Sequence, residues 1–174
     1  MTSNLGFTCS CCGSHHAELP MNYSAHAPYV WDPSFVDSAS CLLSSDQCVI
    51  QAQHYFVKGL VEIPVIGSDK VFSWAAWVSL SRDNFSRSAD LWDTAGRENE
   101  EPYFGWLSTD LFLYSPSTIN LKTRVHTRPI GQRPFIELEP TDHPLAVEQR
   151  TGITMERVRA IAEAVLHPTD NESK

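Results

Sequence analysis

Val71-Phe-Ser-Trp-Ala-Ala-Trp-Val-Ser-Leu80 places Phe72, Trp74, Ala76, Val78 and Leu80 on one face at a period of two, the repeat of a strand and not of a helix. A segment this apolar belongs at the centre of a sheet. Working upstream, Cys48-Val-Ile-Gln51 and His54-Tyr-Phe-Val-Lys58 are strand material, and Leu60-Val-Glu-Ile-Pro-Val-Ile66 continues them past Gly59. That glycine reads as a bulge or bend, and Pro64 as a strand end or an edge. Pro20 to Ser45 shows no sustained period and reads as a long ordered loop with short turns. Downstream, Ser81 is a helix N-cap with Asp83 in the first turn, predicting a helix to about Trp92 with Phe85 and Trp92 on one face. Asp93 to Pro102 carries four acids and a glycine and reads as a solvated, mobile linker. Tyr103-Phe-Gly-Trp-Leu-Ser108 returns to strand.

The C-terminal part is helical. Thr154 caps a helix in which Val158, Ile161, Ala162, Val165 and Leu166 form an apolar stripe opposite Arg157, Arg159 and Glu163. Gly152 separates it from a shorter helix over Leu145 to Arg150, and His167-Pro168 ends it. The fold class that follows is α+β. A mostly antiparallel sheet with two or three helices is expected, closed at one side by an N-terminal zinc-knuckle-like loop. Residues 1–167 form one domain in this reading, and 168–174 form a disordered tail.

Composition bounds the function. A chain of 174 residues supports one sizeable core and is too short for two ordinary domains. No stretch approaches the length of an apolar membrane span, and the N-terminus lacks the basic-then-apolar pattern of a secretory signal, so a cytoplasmic protein is expected. A net charge of −8 argues against general nucleic-acid binding and against an anionic membrane surface, both of which need a basic field.

Phe7-Thr-Cys-Ser-Cys-Cys-Gly-Ser-His-His16 carries a C-x-x-C-G turn from Cys9, Cys12 and Gly13. Two thiolates on one tight turn make half of a tetrahedral zinc site. Five cysteines, three of them within four positions, suit a reduced metal or thiol site better than a secreted disulfide framework. The preferred zinc ligands are Cys9, Cys12, His16 and Cys48, with His15, Cys11 and Cys41 as substitutes. A cluster of ordinary, oxidation-prone thiols is the simpler reading of the same residues.

Leu121-Lys-Thr-Arg-Val-His-Thr-Arg128 puts Lys122, Arg124, His126 and Arg128 on one strand face. The turn Pro129-Ile-Gly-Gln132 reverses the chain into Arg133-Pro-Phe-Ile-Glu-Leu-Glu139. A four-residue turn pairs Arg124 with Glu137 and Lys122 with Glu139 as cross-strand ion pairs worth about 0.2–1 kcal/mol each. In that register His126 faces Phe135, and Arg128 faces Arg133 with no acid beside them. Arg128 and Arg133, with Arg124 on the same face, are the candidate ligand-binding residues, for a phosphate or a carboxylate.

Glu139-Pro-Thr-Asp-His-Pro-Leu-Ala146 follows, and His126, Glu139, Asp142 and His143 are the candidate acid/base groups. Each has a structural alternative. Asp142 caps a helix beginning at His143-Pro144, with the proline in its first turn. No nucleophile elbow, P-loop, Rossmann glycine pattern or H-E-x-x-H is present. Trp77, Tyr103 and Trp106 are an aromatic group that belongs either to the core or to an interface.

Several of these motifs together resemble a bacterial family catalogued as domain of unknown function 2199. They are the Cys9-x-x-Cys12-Gly-x-x-His16 knuckle with Leu19-Pro20, Leu60-Val-Glu-Ile-Pro64, Trp77-Val-Ser-Leu-Ser81, Pro102-Tyr-Phe-Gly-Trp-Leu-Ser-Thr109, and the run from Arg133 through Glu139-Pro-Thr-Asp-His-Pro-Leu-Ala to Gln149-Arg-x-Gly152. The resemblance spans about Phe7 to His167 and implies no particular activity. The preferred function is a zinc-stabilised binding or regulatory module recognising a protein partner or a small anion. The alternative is a hydrolase-type enzyme using His126, Asp142 and His143 with Glu139.

Overall fold

A computed structural model describes residues 7–8, 15–16 and 19–166. Cys9, Cys11, Cys12, the side chains of His15 and His16, and the tail 168–174 lie outside the described residues. The described residues form ten strands: β1 (Phe7–Thr8), β2 (His15–His16), β3 (Asn22–Ser24), β4 (Leu42–Leu43), β5 (Gln47–Ile50), β6 (His54–Pro64), β7 (Val71–Leu80), β8 (Tyr103–Leu107), β9 (Lys122–His126) and β10 (Phe135–Leu138). The helices are α1 (Arg82–Asp90), α2 (Pro144–Thr151) and α3 (Met155–Leu166). The class is α+β, as the periodicities predict.

Strands β6 to β10 form an antiparallel meander that closes on itself, because β10 returns to β6 at Phe135 and Leu60. An odd number of alternating strands cannot close without one parallel contact, and the β10–β6 pair is that contact. β6 and β7 are the long strands, and each serves two neighbours on its outer edge. The first half of β6 pairs with β5 and its second half meets β10, while β7 takes β3 in parallel and then β8. β1 and β2 pair separately, with Phe7 opposite His16.

Pleating fills the barrel. Phe72, Trp74, Ala76, Val78 and Leu80 face inward with Val61, Ile63, Leu107, Val125, Ile136 and Leu138. β7 is buried on its other face as well, where Trp77 joins Cys48, Ile50 and Phe56 under the short 3-10 helix Pro33–Asp37. Val158, Ile161 and Ala162 of α3 close the main core, as the helical stripe predicts. Thr154 caps α3, its Oγ1 accepting from Arg157 N at 3.1 Å.

Three local expectations are corrected. Gly59 is not a bulge: β6 and β7 stay in continuous register through the Gly59–Ala76 pair. Its lack of a side chain serves the barrel closure, since a Cβ there would stand 2.8 Å from Pro134 O and 2.9 Å from Ile136 Cγ1. The Pro20–Ser45 stretch is not all loop, because β3 and β4 extend the sheet on both edges. The predicted mobile linker is held in place by Arg97, which is only 8% exposed. Ser81 caps α1 as expected, accepting from Asn84 N at 3.1 Å, and α1 ends at Asp90, short of Trp92.

Candidate anion-binding site

The start of β10, the end of β9 and the middle of β6 meet at one open end of the barrel. Between them lies a cavity of about 200 Å3. Its wall carries four cationic residues, Lys58, Arg97, Arg128 and Arg133, against one acid, Asp46. In a chain of net charge −8 that is a local reversal of sign.

Arg97 is fully committed to structure. Its Nε donates to Arg128 O at 2.7 Å, Nη1 to Trp92 O at 2.8 Å, and Nη2 to Pro129 O and Gln132 O at 3.0 and 3.1 Å. One guanidinium thus ties the segment after α1 to the β9–β10 turn. A second clamp lies beside it, where Arg87 Nε and Nη2 donate to both Glu100 oxygens and Tyr103 OH donates to Glu100 Oε2 at 2.6 Å. Those bonds, from Arg87 first and Tyr103 second, hold the Glu100 carboxyl down to about 2. Burial, then the Glu100 contact, pushes the Tyr103 phenol up to about 12.

The hairpin register is the predicted one, with Glu137 opposite Arg124 and Phe135 opposite His126. The charge pairing differs. Glu137 Oε2 lies 3.2 Å from His126 Nε2, and no ion pair joins Arg124 to Glu137 or Lys122 to Glu139 among the described residues. The expectation that Arg128 and Arg133 have no acid beside them is also corrected. Arg128 forms a two-pronged pair with Glu62, and Arg133 Nε donates to Asp46 Oδ1 at 2.8 Å. Both acids come from distant strand segments, so hairpin register alone could not supply them.

These pairs leave donors over. Arg133 engages only through Nε, and its Nη1 and Nη2 make no hydrogen bond among the described residues. Burial acts to raise the Asp46 carboxyl, but the hydrogen bonds from Arg133 and Ser45, with the charges of Arg133 and Lys58, outweigh it and lower the net value. Lys58 is the residue that sequence reasoning missed. It is 6% exposed, lies over the Trp77 ring at 5.6 Å, and makes no hydrogen bond or ion pair through Nζ among the described residues. Burial, then Arg133, lowers its ammonium pKa, while Asp46 acts in the opposite sense. A signal was available, because Phe56-Val57-Lys58-Gly59-Leu60-Val61 sets one charge inside an otherwise apolar strand run.

The acid/base candidates are engaged elsewhere. His143 is 8% exposed and, correcting the assignment to Asp142, is itself the N-cap of α2. Its Nδ1 accepts from Leu145 N at 3.1 Å, which leaves Nε2–H to donate to Pro116 O at 2.8 Å. Asp142 and Glu139 are exposed, and His126 stacks on Phe135 at 5.8 Å. Among the described residues no hydrogen bond or ion pair joins any two of His126, Glu139, Asp142 and His143.

Cys48 is fully buried, and that burial, then Cys41, pushes its thiol up to about 12. Cys41 is half-buried, its Sγ accepting from Gln51 N at 3.2 Å. Among the described residues no three His, Cys, Asp or Glu side chains cluster as metal ligands. The aromatic group divides: Trp77 and Tyr103 are core, while Phe104 (48% exposed) and Trp106 (40%) stand edge to face at 5.1 Å on the outer surface of β8.

The fold and cavity define a small five-stranded barrel with a cationic mouth. The chain belongs to the bacterial family described as "Uncharacterized protein conserved in bacteria" (DUF2199), whose model matches residues 8–153. No curated protein and no solved structure matches the chain. Among the described residues no helix is long and apolar enough to cross a membrane.

Proposed function

We propose that this protein is a binding module that takes a small anion at the mouth of its barrel. The supporting observation is the four-to-one excess of cations lining the cavity, with the Arg133 Nη groups and Lys58 Nζ lacking acceptors among the described residues. A guanidinium with unused donors beside a lysine whose ammonium has no protein acceptor among the described residues suits a carboxylate or phosphate, which supplies the acceptors both lack. Arg128 borders the site and is turned toward Glu62, so it contributes field more than contact. Arg124 lies on the outer face of β9, away from the inward-facing residues, and has no part in this site.

The N-terminal turn belongs to the same reading as a structural zinc site on Cys9, Cys12 and His16. Its support is the donor set and the pairing of β1 with β2 on either side of the turn. Cys48 would have to lose its proton against burial to be the fourth ligand. Metal analysis followed by cobalt substitution tests the zinc assignment, since thiolate coordination gives Co(II) a distinctive absorption.

Isothermal titration with inorganic phosphate tests the anion site. Saturable binding that falls about tenfold or more in Arg133→Gln supports it. Absence of binding, or equal binding by that variant, overturns it.

A further inference from the structure

We propose that Lys58 is a carbonyl-capturing amine, so that the anion taken at the barrel mouth is an aldehyde or ketone bearing an oxyanion. This rests on the anion-site reading and names the ligand class for it. A buried lysine is ordinarily paired with a carboxylate or hydrogen-bonded to carbonyls. Among the described residues Lys58 is neither: it lines the cavity together with Arg133, and its Nζ stands over the Trp77 ring at 5.6 Å. Lys58 also borders a neighbouring cavity with Trp31, Cys41 and Ser44.

The chemistry follows from that environment. Desolvation and a neighbouring cation favour the neutral amine, the arrangement that activates lysines toward carbonyl carbons. The direction of the Lys58 shift agrees. The nitrogen lone pair adds to the carbonyl carbon, the two amine hydrogens leave with the carbonyl oxygen as water, and a C=N bond remains. Arg133 would hold the oxyanion of the same molecule, making capture selective for anionic carbonyl compounds over neutral ones. No oxidant, reductant or metal enters the balance.

The chain contains only four lysines, Lys58, Lys70, Lys122 and Lys174, which makes the test sharp. The full-length protein is incubated with glyoxylate and cyanoborohydride, which reduces any C=N bond to a stable secondary amine. Peptide mass mapping then gives the labelling rate at each lysine and at the α-amine. Propionaldehyde serves as the neutral control. The expected result is labelling at Lys58 about tenfold or more faster than at the other lysines. Arg133→Gln should bring the glyoxylate rate at Lys58 down to the propionaldehyde rate, and phosphate should protect Lys58 in the unaltered protein.

Even labelling of all four lysines, or a Lys58 slower than the rest, overturns the proposal. If phosphate nonetheless binds by calorimetry, only carbonyl capture falls and the anion site stands. If Lys58 is labelled fast by both aldehydes and phosphate neither binds nor protects, the anionic ligand class is overturned together with the anion site. Circular dichroism and urea unfolding of Arg133→Gln establish that a lost rate is not a lost fold.

Discussion

Arg97 and Lys58 line the same cavity and are buried to nearly the same extent, at 8% and 6% exposure. Arg97 comes from the segment between α1 and β8 and spends its guanidinium on four backbone carbonyls. Lys58 comes from the middle of β6 and, among the described residues, has the Trp77 ring, the Asp46 carboxylate and the Arg133 guanidinium near it but no hydrogen bond. The difference separates a cation that builds the wall from one left available at its surface. A buried charge with every nitrogen engaged is a structural element, whereas a charge without protein acceptors is tolerated where something else provides them.

The comparison is tested most severely at Arg97. Arg97→Met keeps the stem but strands the carbonyls of Trp92, Arg128, Pro129 and Gln132, and a loss of about 3–5 kcal/mol is expected in urea unfolding. A loss below about 1 kcal/mol would mean that solvent replaces those bonds freely and that the wall is not built by Arg97.

His143 belongs with Arg97, because both ring nitrogens are committed to backbone groups. His143→Ala removes the α2 cap and the bond to Pro116 O, with an expected loss of about 1–2 kcal/mol. His143→Asn restores a capping oxygen and should recover about half of it. Activity chemistry at His143 would instead leave stability unchanged in both variants.

The Arg87–Glu100–Tyr103 clamp gives a pH signature for the same wall. The Glu100 carboxyl is lowered in the folded state from its ordinary value of 4.5 to about 2. The stability it contributes is therefore complete above pH 4.5 and lost as pH falls toward 2. Glu100 keeps 18% of its side-chain surface exposed and its partner Arg87 keeps 61%, so solvent screening makes the effect a modest one. Acid titration of unfolding stability should lose part of its slope in that window in Glu100→Gln, and an unchanged slope would remove the clamp from the account.

Much of the architecture was legible, and the reason is local. The period of Val71–Leu80 gave β7, the Ser81 and Thr154 caps gave the starts of α1 and α3, and turn length gave the register that sets Glu137 opposite Arg124. What escaped depends on groups far apart in the chain. Glu62 reaches Arg128 across 66 positions and Asp46 reaches Arg133 across 87, so the charge balance of the hairpin could not be read from the hairpin. Gly59 looked like a bulge because its partner in close approach, Pro134, arrives only when the barrel closes. The acid-rich stretch around Arg97 looked mobile because the carbonyls that fix it belong mostly to the β9–β10 turn. The cationic mouth is a product of closure, and only Arg128 and Arg133 were visible in advance.

The smallest expected effect bears most directly on the site. Lys58→Met removes a charge that has no hydrogen-bond acceptor among the described residues, together with the Nζ contact over Trp77, and keeps a side chain of similar length. Loss of the cation–ring contact and of the attraction to Asp46 acts against the variant, and release from burying an ammonium acts for it. Each is on the order of 1 kcal/mol, so unfolding stability should change by less than about 1 kcal/mol in either direction. A loss above about 2 kcal/mol would show that Lys58 holds the barrel as Arg97 does, and an amine already spent on the fold is not one reserved for a ligand.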